Sequence, residues 1–324
     1  MLPPEEIPAL SRGAVDLAGH RRTDDAWLDK SWADPGTRVL VLEGGDPASY
    51  GWQALLARQS RALVADGAEG GPRLVFVSPA EAPEGERFLL GADERDGTAY
   101  FAVVSAAEDP FPRVPGARPV SLREVGALLD DRDAGLFTHA VAVANWNATH
   151  RFCPACGGPT EPSAAGHVRV CVREGRENFP RTDPAVIMLV HREADGVEEC
   201  LLGHNPRWPE HRYSVLAGFV EPGESLEQAV VREVAEEVGI AVAEPRYLTS
   251  QPWPFPRSLM LGFFARATGP ARRTDAEEIS EVRWLSRPAL RAAAESGEVL
   301  LPGPVSIARR LIEHWYGGPL PGGF

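Results

Sequence analysis

Lysine is nearly absent from this chain. Lys30 is the only one, so almost all of the 33 basic side chains are arginine, set against 46 acidic ones for a net charge of -13. That balance excludes the broad basic footprint of a protein that holds nucleic acid by its surface charge. An acidic chain can still take a phosphorylated substrate, through metal ions or a local cluster of donors. Cysteine is scarce as well: four in 324 residues are too few for a secreted disulfide scaffold. No apolar run approaches the ~18 residues of a membrane span. The opening MLPPEEIPAL lacks a basic segment followed by an apolar one, so no signal peptide is expected. Repeats and low-complexity tracts are missing too. What remains is a chain with 44% hydrophobic residues, long enough for about two domains. A cytoplasmic protein with no membrane contact is expected.

Texture divides the sequence into residues 1–130, 131–182 and 183–324. In the first part short β-like runs, Arg38–Leu42, Leu74–Val77 and Tyr100–Val104, are bounded by turn residues such as Gly44-Gly45, Ser78-Pro79 and Asp96-Gly97. Ser121 to Leu129 has helical character, with Ser121 as N-cap and Glu124 three residues on. No chemical motif occurs here, so this part is expected to be an α+β scaffold or dimerisation surface. Leu136 to Arg151 then predicts a long helix of mostly small residues. From Pro184 onward, strand patterns (Ala185–Val190, Cys200–Gly203, Tyr213–Leu216) alternate with helices, the last over Ser306–Tyr316. This predicts an α+β or α/β C-terminal domain. The Pro/Gly-rich tail Gly317–Phe324 is expected to fray.

Cys153-Pro-Ala-Cys156, followed by two glycines, is a knuckle that lets two thiolates converge on one metal. Cys171 supplies a third sulfur. The position three beyond it, where a zinc ribbon wants its fourth ligand, is Glu174; His167 and Glu177 are other candidates. Two readings stand: a structural zinc site closed by an oxygen ligand, or a ribbon without metal that survives on packing. A redox pair lacks a thioredoxin-like context. Cys200 lies in a strand pattern and is expected in the core.

The strongest signal is the segment Gly218 to Ile240. Pro222-Gly223 forces a turn, Ser225 caps a helix with Gln228 at the capping-box position, and Gly239 ends it. Leu226, Val230, Val234 and Val238 form the buried stripe. Glu233 and Glu237 are four apart, hence on one face, with Glu236 beside them. Like charges so placed repel, and a divalent cation resolves the repulsion, because Mg²⁺ and Mn²⁺ prefer carboxylate oxygens. A solvated acidic face would leave Glu224, Arg232 and the glycines unexplained.

The spacing Gly218-x5-Glu224-x7-Arg232-Glu233-Val234-x-Glu236-Glu237-x-Gly239-Ile240 resembles the Nudix box. Further on, Ser250-Gln-Pro-Trp-Pro-Phe-Pro-Arg-Ser258 is similar to the signature of the NADH pyrophosphatases, the NudC-like branch of the Nudix hydrolases. A zinc ribbon before the catalytic domain and an extra N-terminal domain also belong to that branch. On the residues alone, the three prolines stiffen an extended loop in which Trp253 and Phe255 are set for stacking on planar rings. The resemblance implies an α/β/α sandwich for the C-terminal domain and hydrolysis of a diphosphate by water with divalent metals. It implies Glu233, Glu237, Glu278 and the carbonyl of Ala217 as ligands of Mg²⁺ or Mn²⁺, Glu236 as ligand or base, and Arg232 paired with Glu224 to hold the carboxylates in register. It places substrate at Phe179, Phe219, Gln251, Pro252, Trp253, Pro254, Phe255, Pro256, Arg257, Ser258 and the backbone of Ala308. Glu174 departs from the usual fourth zinc cysteine.

The implied reaction is NAD(H) plus water giving NMN(H) and AMP, with NAD-capped RNA ends as further substrates and a homodimer as the assembly. The alternatives are a Nudix hydrolase of another diphosphate, such as ADP-ribose or a dinucleoside polyphosphate, and an inactive nucleotide-binding module. The proline-aromatic loop argues against the first and the complete set of carboxylates against the second.

Overall fold

A computed structural model describes residues 7–44, 61–67, 71–105, 107, 110–269 and 277–323. Gly45 of the expected first turn and Phe324 of the tail lie outside the described residues. The chain forms two compact units. One holds Arg12–Thr182 together with Trp253–Arg257; the other holds the described residues of Met1–Ser11, Asp183–Pro252 and Ser258–Phe324.

The first unit contains α1 (Asp25–Ala33), β1 (Arg38–Glu43), β2 (Arg61–Asp66), β3 (Pro72–Leu74), β4 (Phe76–Val77), β5 (Glu86–Ala92), β6 (Ala99–Ser105), β7 (Arg118–Ser121), α2 (Leu122–Val125), α3 (Asp131–Thr149), β8 (Thr160–Ser163), β9 (Val168–Cys171) and β10 (Glu177–Asn178). Its larger sheet runs β3-β2-β1-β6-β5, with β4 beside β1 and β7 beside β2. The single expected strand Leu74–Val77 is split at Val75, because β3 pairs with β2 while β4 pairs with β1. The helix expected over Ser121–Leu129 is only α2, opened by the Ser121/Glu124 capping box and followed by turns. Helix α3 begins earlier than its apolar run, since the Asp130 side chain caps it by accepting from the Asp133 amide. A smaller antiparallel sheet, β10-β9-β8, carries Cys171.

The second unit contains β11 (Asp183–Ala194), β12 (Val197–His204), β13 (Leu216–Phe219), α4 (Leu226–Val238), β14 (Val242–Trp253), β15 (Ser258–Ala267), β16 (Glu281–Ser286), α5 (Arg287–Ser296) and α6 (Ile307–Tyr316). The sheet order is β14-β15-β11-β12-β16 with β13 paired to β11, and β11 runs parallel to β15. Successive β11 side chains alternate between two cores. Ile187 and Leu189 pack with Leu290, Leu311 and Ile312 of α5 and α6, whereas Val186, Met188 and Val190 pack with Val230, Val234 and Val238 of α4. With period-2 side chains and both faces covered, the strand's central stretch Ala185–Val190 is apolar at every position. The result is an α/β/α sandwich inside a mixed α+β chain. Cys200 lies in the first of these cores, where burial pushes its thiol up to about 12.

Three local expectations change. Tyr213–Val215 form no strand of their own, and only Leu216 joins β13, while Ser214 makes a single bridge to Gly203. The proline-aromatic segment is the apex of the β14–β15 hairpin rather than an extended loop, because pairing continues to Trp253 and resumes at Ser258. The tail is tied down: Leu320 is buried, its amide donates to Glu313 Oε1, and the Arg309 guanidinium donates to the carbonyls of Leu320 and Gly322. Among the described residues no helix is long and apolar enough to cross a membrane.

Candidate active site

The carboxylates are delivered by α4. Ser225 Oγ accepts from the Gln228 amide while Gln228 Oε1 accepts from the Ser225 amide, and Gly239 stops the helix in the left-handed conformation at φ 64°. Burial of Val230, Val234 and Val238 against the sheet fixes the helix rotation. That rotation buries Glu233 and Glu237 and leaves Glu236 at the surface.

Arg232 organises the group. It donates Nε and Nη2 to the two oxygens of Glu224, both at 2.9 Å, and Nη1 to Glu233 Oε1 at 2.9 Å and Glu236 Oε2 at 3.0 Å. Nη2 also donates to the Phe219 carbonyl at 2.9 Å. The planar guanidinium thus locks the loop before the helix to two of its carboxylates. Gly218 is required by contact: a Cβ there would lie 1.9 Å from Glu233 Cδ. Ala217, one residue earlier, is paired with Ile187 of β11.

Glu237 is 6% exposed, and its Oε2 is buried without a hydrogen-bond partner. Burial, and then the charges of Glu233, Glu278 and Glu236, push its carboxyl up to about 8. Glu233 is also raised, by burial first, with Arg232 opposing. Glu278, exposed on the stretch before β16, acts on both. Four carboxylates with one orphaned buried oxygen and an all-oxygen donor set fit a hard divalent cation.

The aromatic and proline positions fall differently. Phe219, in the same unit as the carboxylates, is 60% exposed. Phe179, also exposed, and Trp253–Arg257 belong to the other unit. There the Asn145 amide donates to the Pro254 and Pro256 carbonyls at 2.8 and 3.4 Å, and the Arg123 guanidinium lies 4.9 Å from the Trp253 ring centre and 3.9 Å from that of Phe255. The two rings meet edge to face at 5.1 Å. Neither Arg123 nor Asn145 was anticipated. An asparagine inside a helix of small apolar residues is the one local signal that could have found the second. Pro252 and Ser258 are half-buried at the hairpin ends. Gln251 is fully buried and donates Nε2 to the Val305 carbonyl at 2.7 Å, so its side chain offers no open surface. Ala308 is likewise buried, its amide given to Ser306 Oγ at 3.2 Å as the α6 cap.

The ribbon cysteines converge. The sulfurs of Cys153, Cys156 and Cys171 all lie within 4.8 Å of one another, with 3.5 Å between Cys156 and Cys171. Backbone amides of Cys156 and Ala155 hold the Cys153 thiol below its ordinary value. Two equivalent turns build the site. The Gly157 amide donates to the Cys153 carbonyl and the Cys153 amide to Gly158; the Gly175 amide donates to the Cys171 carbonyl and the Cys171 amide to Arg176. Glu174 stands in the second turn where Cys156 stands in the first. Its carboxylate pairs with Arg176 at 3.5 Å and lies outside the sulfur group, a difference from the expected fourth ligand. His167 is engaged elsewhere, through Nε2 with the Leu89 carbonyl, and Glu177 is not in the group. Three free soft donors fit zinc.

The class defined by this fold and box follows. A model of the NUDIX domain matches residues 181–301, one of the rudimentary NUDIX domain of NADH pyrophosphatase-like proteins matches 51–146, and one of the NADH pyrophosphatase zinc ribbon matches 148–177. The chain belongs to the Nudix family, in the branch that carries the NADH pyrophosphatase zinc ribbon. It is 40% identical over 323 residues, 95% of each chain, to the NAD-capped RNA hydrolase NudC of Mycobacterium bovis (strain BCG / Pasteur 1173P2). The NAD-capped RNA hydrolase NudC of Stutzerimonas stutzeri is 38% identical over 268 residues, covering 83% of this chain and 91% of its own. The NAD-capped RNA hydrolase NUDT12 of Macaca fascicularis is 39% identical over 198 residues, covering 58% and 42%.

Proposed function

We propose that this chain hydrolyses the diphosphate bond of NAD(H), giving NMN(H) and AMP, and removes NAD caps from RNA 5′ ends. The observation that carries the reading is the buried, unpartnered oxygen of Glu237, on a Nudix helix, under the charges of Glu233 and Glu278. The names of the relatives over nearly the whole chain supply the substrate class.

Glu233, Glu237, Glu278 and the Ala217 carbonyl hold Mg²⁺ or Mn²⁺. A divalent cation there supplies electrostatic stabilisation to the phosphoryl oxygens as charge develops on them. Arg232 keeps Glu233 oriented through Nη1 and fastens the Phe219 carbonyl and Glu224 behind it. Glu236, exposed and tethered at Oε2 by Arg232, takes the proton of the attacking water at Oε1. Phe219, Phe179, Trp253 and Phe255 serve the rings of the dinucleotide, with the hairpin residues 251–258 and Ala308 supporting them. Zinc in the cysteine group is structural, held by Cys153, Cys156 and Cys171 with Glu174 as the fourth ligand that closes the tetrahedron. Residues 1–130 act as scaffold and dimerisation surface, 131–182 as linking helix and ribbon, and 183–324 as catalytic domain, in a cytoplasmic homodimer.

The test is purified chain with Mg²⁺ or Mn²⁺ against NADH, NAD⁺, ADP-ribose and NAD-capped RNA, with products identified. NMN(H) and AMP from the dinucleotides, and NMN from capped RNA, are expected. Exclusive turnover of ADP-ribose, or binding without turnover, overturns the reading.

A further inference from the structure

Glu278 is exposed, it belongs to neither a helix nor a strand, and its charge bears on Glu233 and Glu237. Repulsion between like charges would carry such a side chain and its backbone outward unless the chain around it is fastened. The three residues after it are fastened in succession. Ile279 is 7% exposed and joins the core that packs on α4. Ser280 donates both its amide and its hydroxyl to the His204 carbonyl, at 3.0 and 3.2 Å. Glu281 pairs with His204 in the β12–β16 ladder and accepts from Arg283 Nε at 2.8 Å.

Gly203 sits under this anchor. A Cβ there would lie 3.2 and 3.3 Å from Ile279 Cδ1 and Cγ2, and 3.3 Å from Leu216 Cδ2. Ile279 and Leu216 are each one residue from a proposed ligand, Glu278 and Ala217 respectively. The missing side chain of one glycine in β12 therefore leaves room for the side chains of Ile279 and Leu216, the neighbours of two proposed ligands, to pack on the same point.

We infer that Gly203 and Ser280 are positioning residues that fasten the chain beside Glu278 and the Ala217 carbonyl, so that both stay placed for a cation. This rests on the proposed cation site and deepens it. Neither residue is a ligand. Their effect is on how tightly the cation is held, because energy used to pull Glu278 inward is subtracted from binding.

The experiment reads free Mn²⁺ by electron paramagnetic resonance while Mn²⁺ is titrated into parent, G203A, S280A, S280T and E278Q chains. The activating Mn²⁺ concentration and the saturated kcat are measured alongside. G203A and S280A are expected to weaken Mn²⁺ roughly 5- to 20-fold, within the span of outer-shell changes. Saturating metal should return kcat to near the parent value, and S280T, which keeps the hydroxyl, should bind like the parent. Unchanged Mn²⁺ affinity in G203A and S280A, with E278Q weakened, overturns the anchor alone. Unchanged affinity in E278Q overturns Glu278 as a ligand and the anchor with it. Lost kcat at saturating metal with unchanged affinity shows that the two residues act only on the fold.

Discussion

Replacing Glu237 with glutamine should stabilise the metal-free protein while removing its activity. The carboxyl is 6% exposed, one of its oxygens has no partner, and its pKa rises from 4.5 to about 8. A carboxyl raised in the folded state keeps its proton where the unfolded chain has lost it. Stability is therefore full below about pH 4.5 and declines as pH rises to about 8, above which the loss is constant. That rise corresponds to about 3 to 5 kcal/mol at pH 8. Glutamine keeps the shape and has no proton to lose. In urea at pH 8 without metal, the E237Q variant should unfold at higher concentration than the parent, and at pH 5 the two should nearly coincide. Adding Mg²⁺ at about 100 times its dissociation constant should raise the parent by about 2.7 kcal/mol and leave the variant unmoved. Turnover should fall at least about a thousandfold, since the lost stabilisation of a metal-centred transition state is several kcal/mol. A variant no more stable than the parent at pH 8, with turnover within a few-fold, would refute both the buried charge and its role.

Arg232→Lys should lower kcat/KM by roughly 10- to 100-fold with the helix intact by circular dichroism, because a point charge cannot bridge Glu224, Glu233, Glu236 and the Phe219 carbonyl at once; parent-like kinetics would remove Arg232 from its organising role. Trp253→Ala should raise KM for NADH more than it lowers kcat, by the ~1–3 kcal/mol of a ring stack. Unchanged KM with a lower melting temperature would make the ring a packing element under Arg123. Protein purified without added zinc should carry about one zinc per chain by elemental analysis, and Glu174→Cys should tighten it, because the second turn already has the backbone of a ligand knuckle. Less than about a tenth of a zinc per chain with full activity would show a ribbon held by packing alone.

Local chemistry was legible in the amino-acid order. Ser225, Gln228 and Gly239 set the limits of α4 because caps and left-handed stops act within one turn, and the i, i+4 spacing put Glu233 and Glu237 on one face before any fold was known. Cys153 and Cys156 likewise announced a knuckle through short-range spacing. What depends on partners distant in the chain was not legible. The break at Val75 arises because its two halves meet different strands, and the turn of the proline-aromatic segment arises because β14 and β15 pair around it. Arg123 and Asn145 reach residues 253–256 only once α2 and α3 have folded, and the tail is pinned by Arg309 only once α6 exists. The same holds for the buried oxygen of Glu237. Its charge was written in the sequence, but its desolvation required the sheet, α4 and the stretch carrying Glu278 to come together. Burial is a property of the assembled core, and no spacing along the chain encodes it.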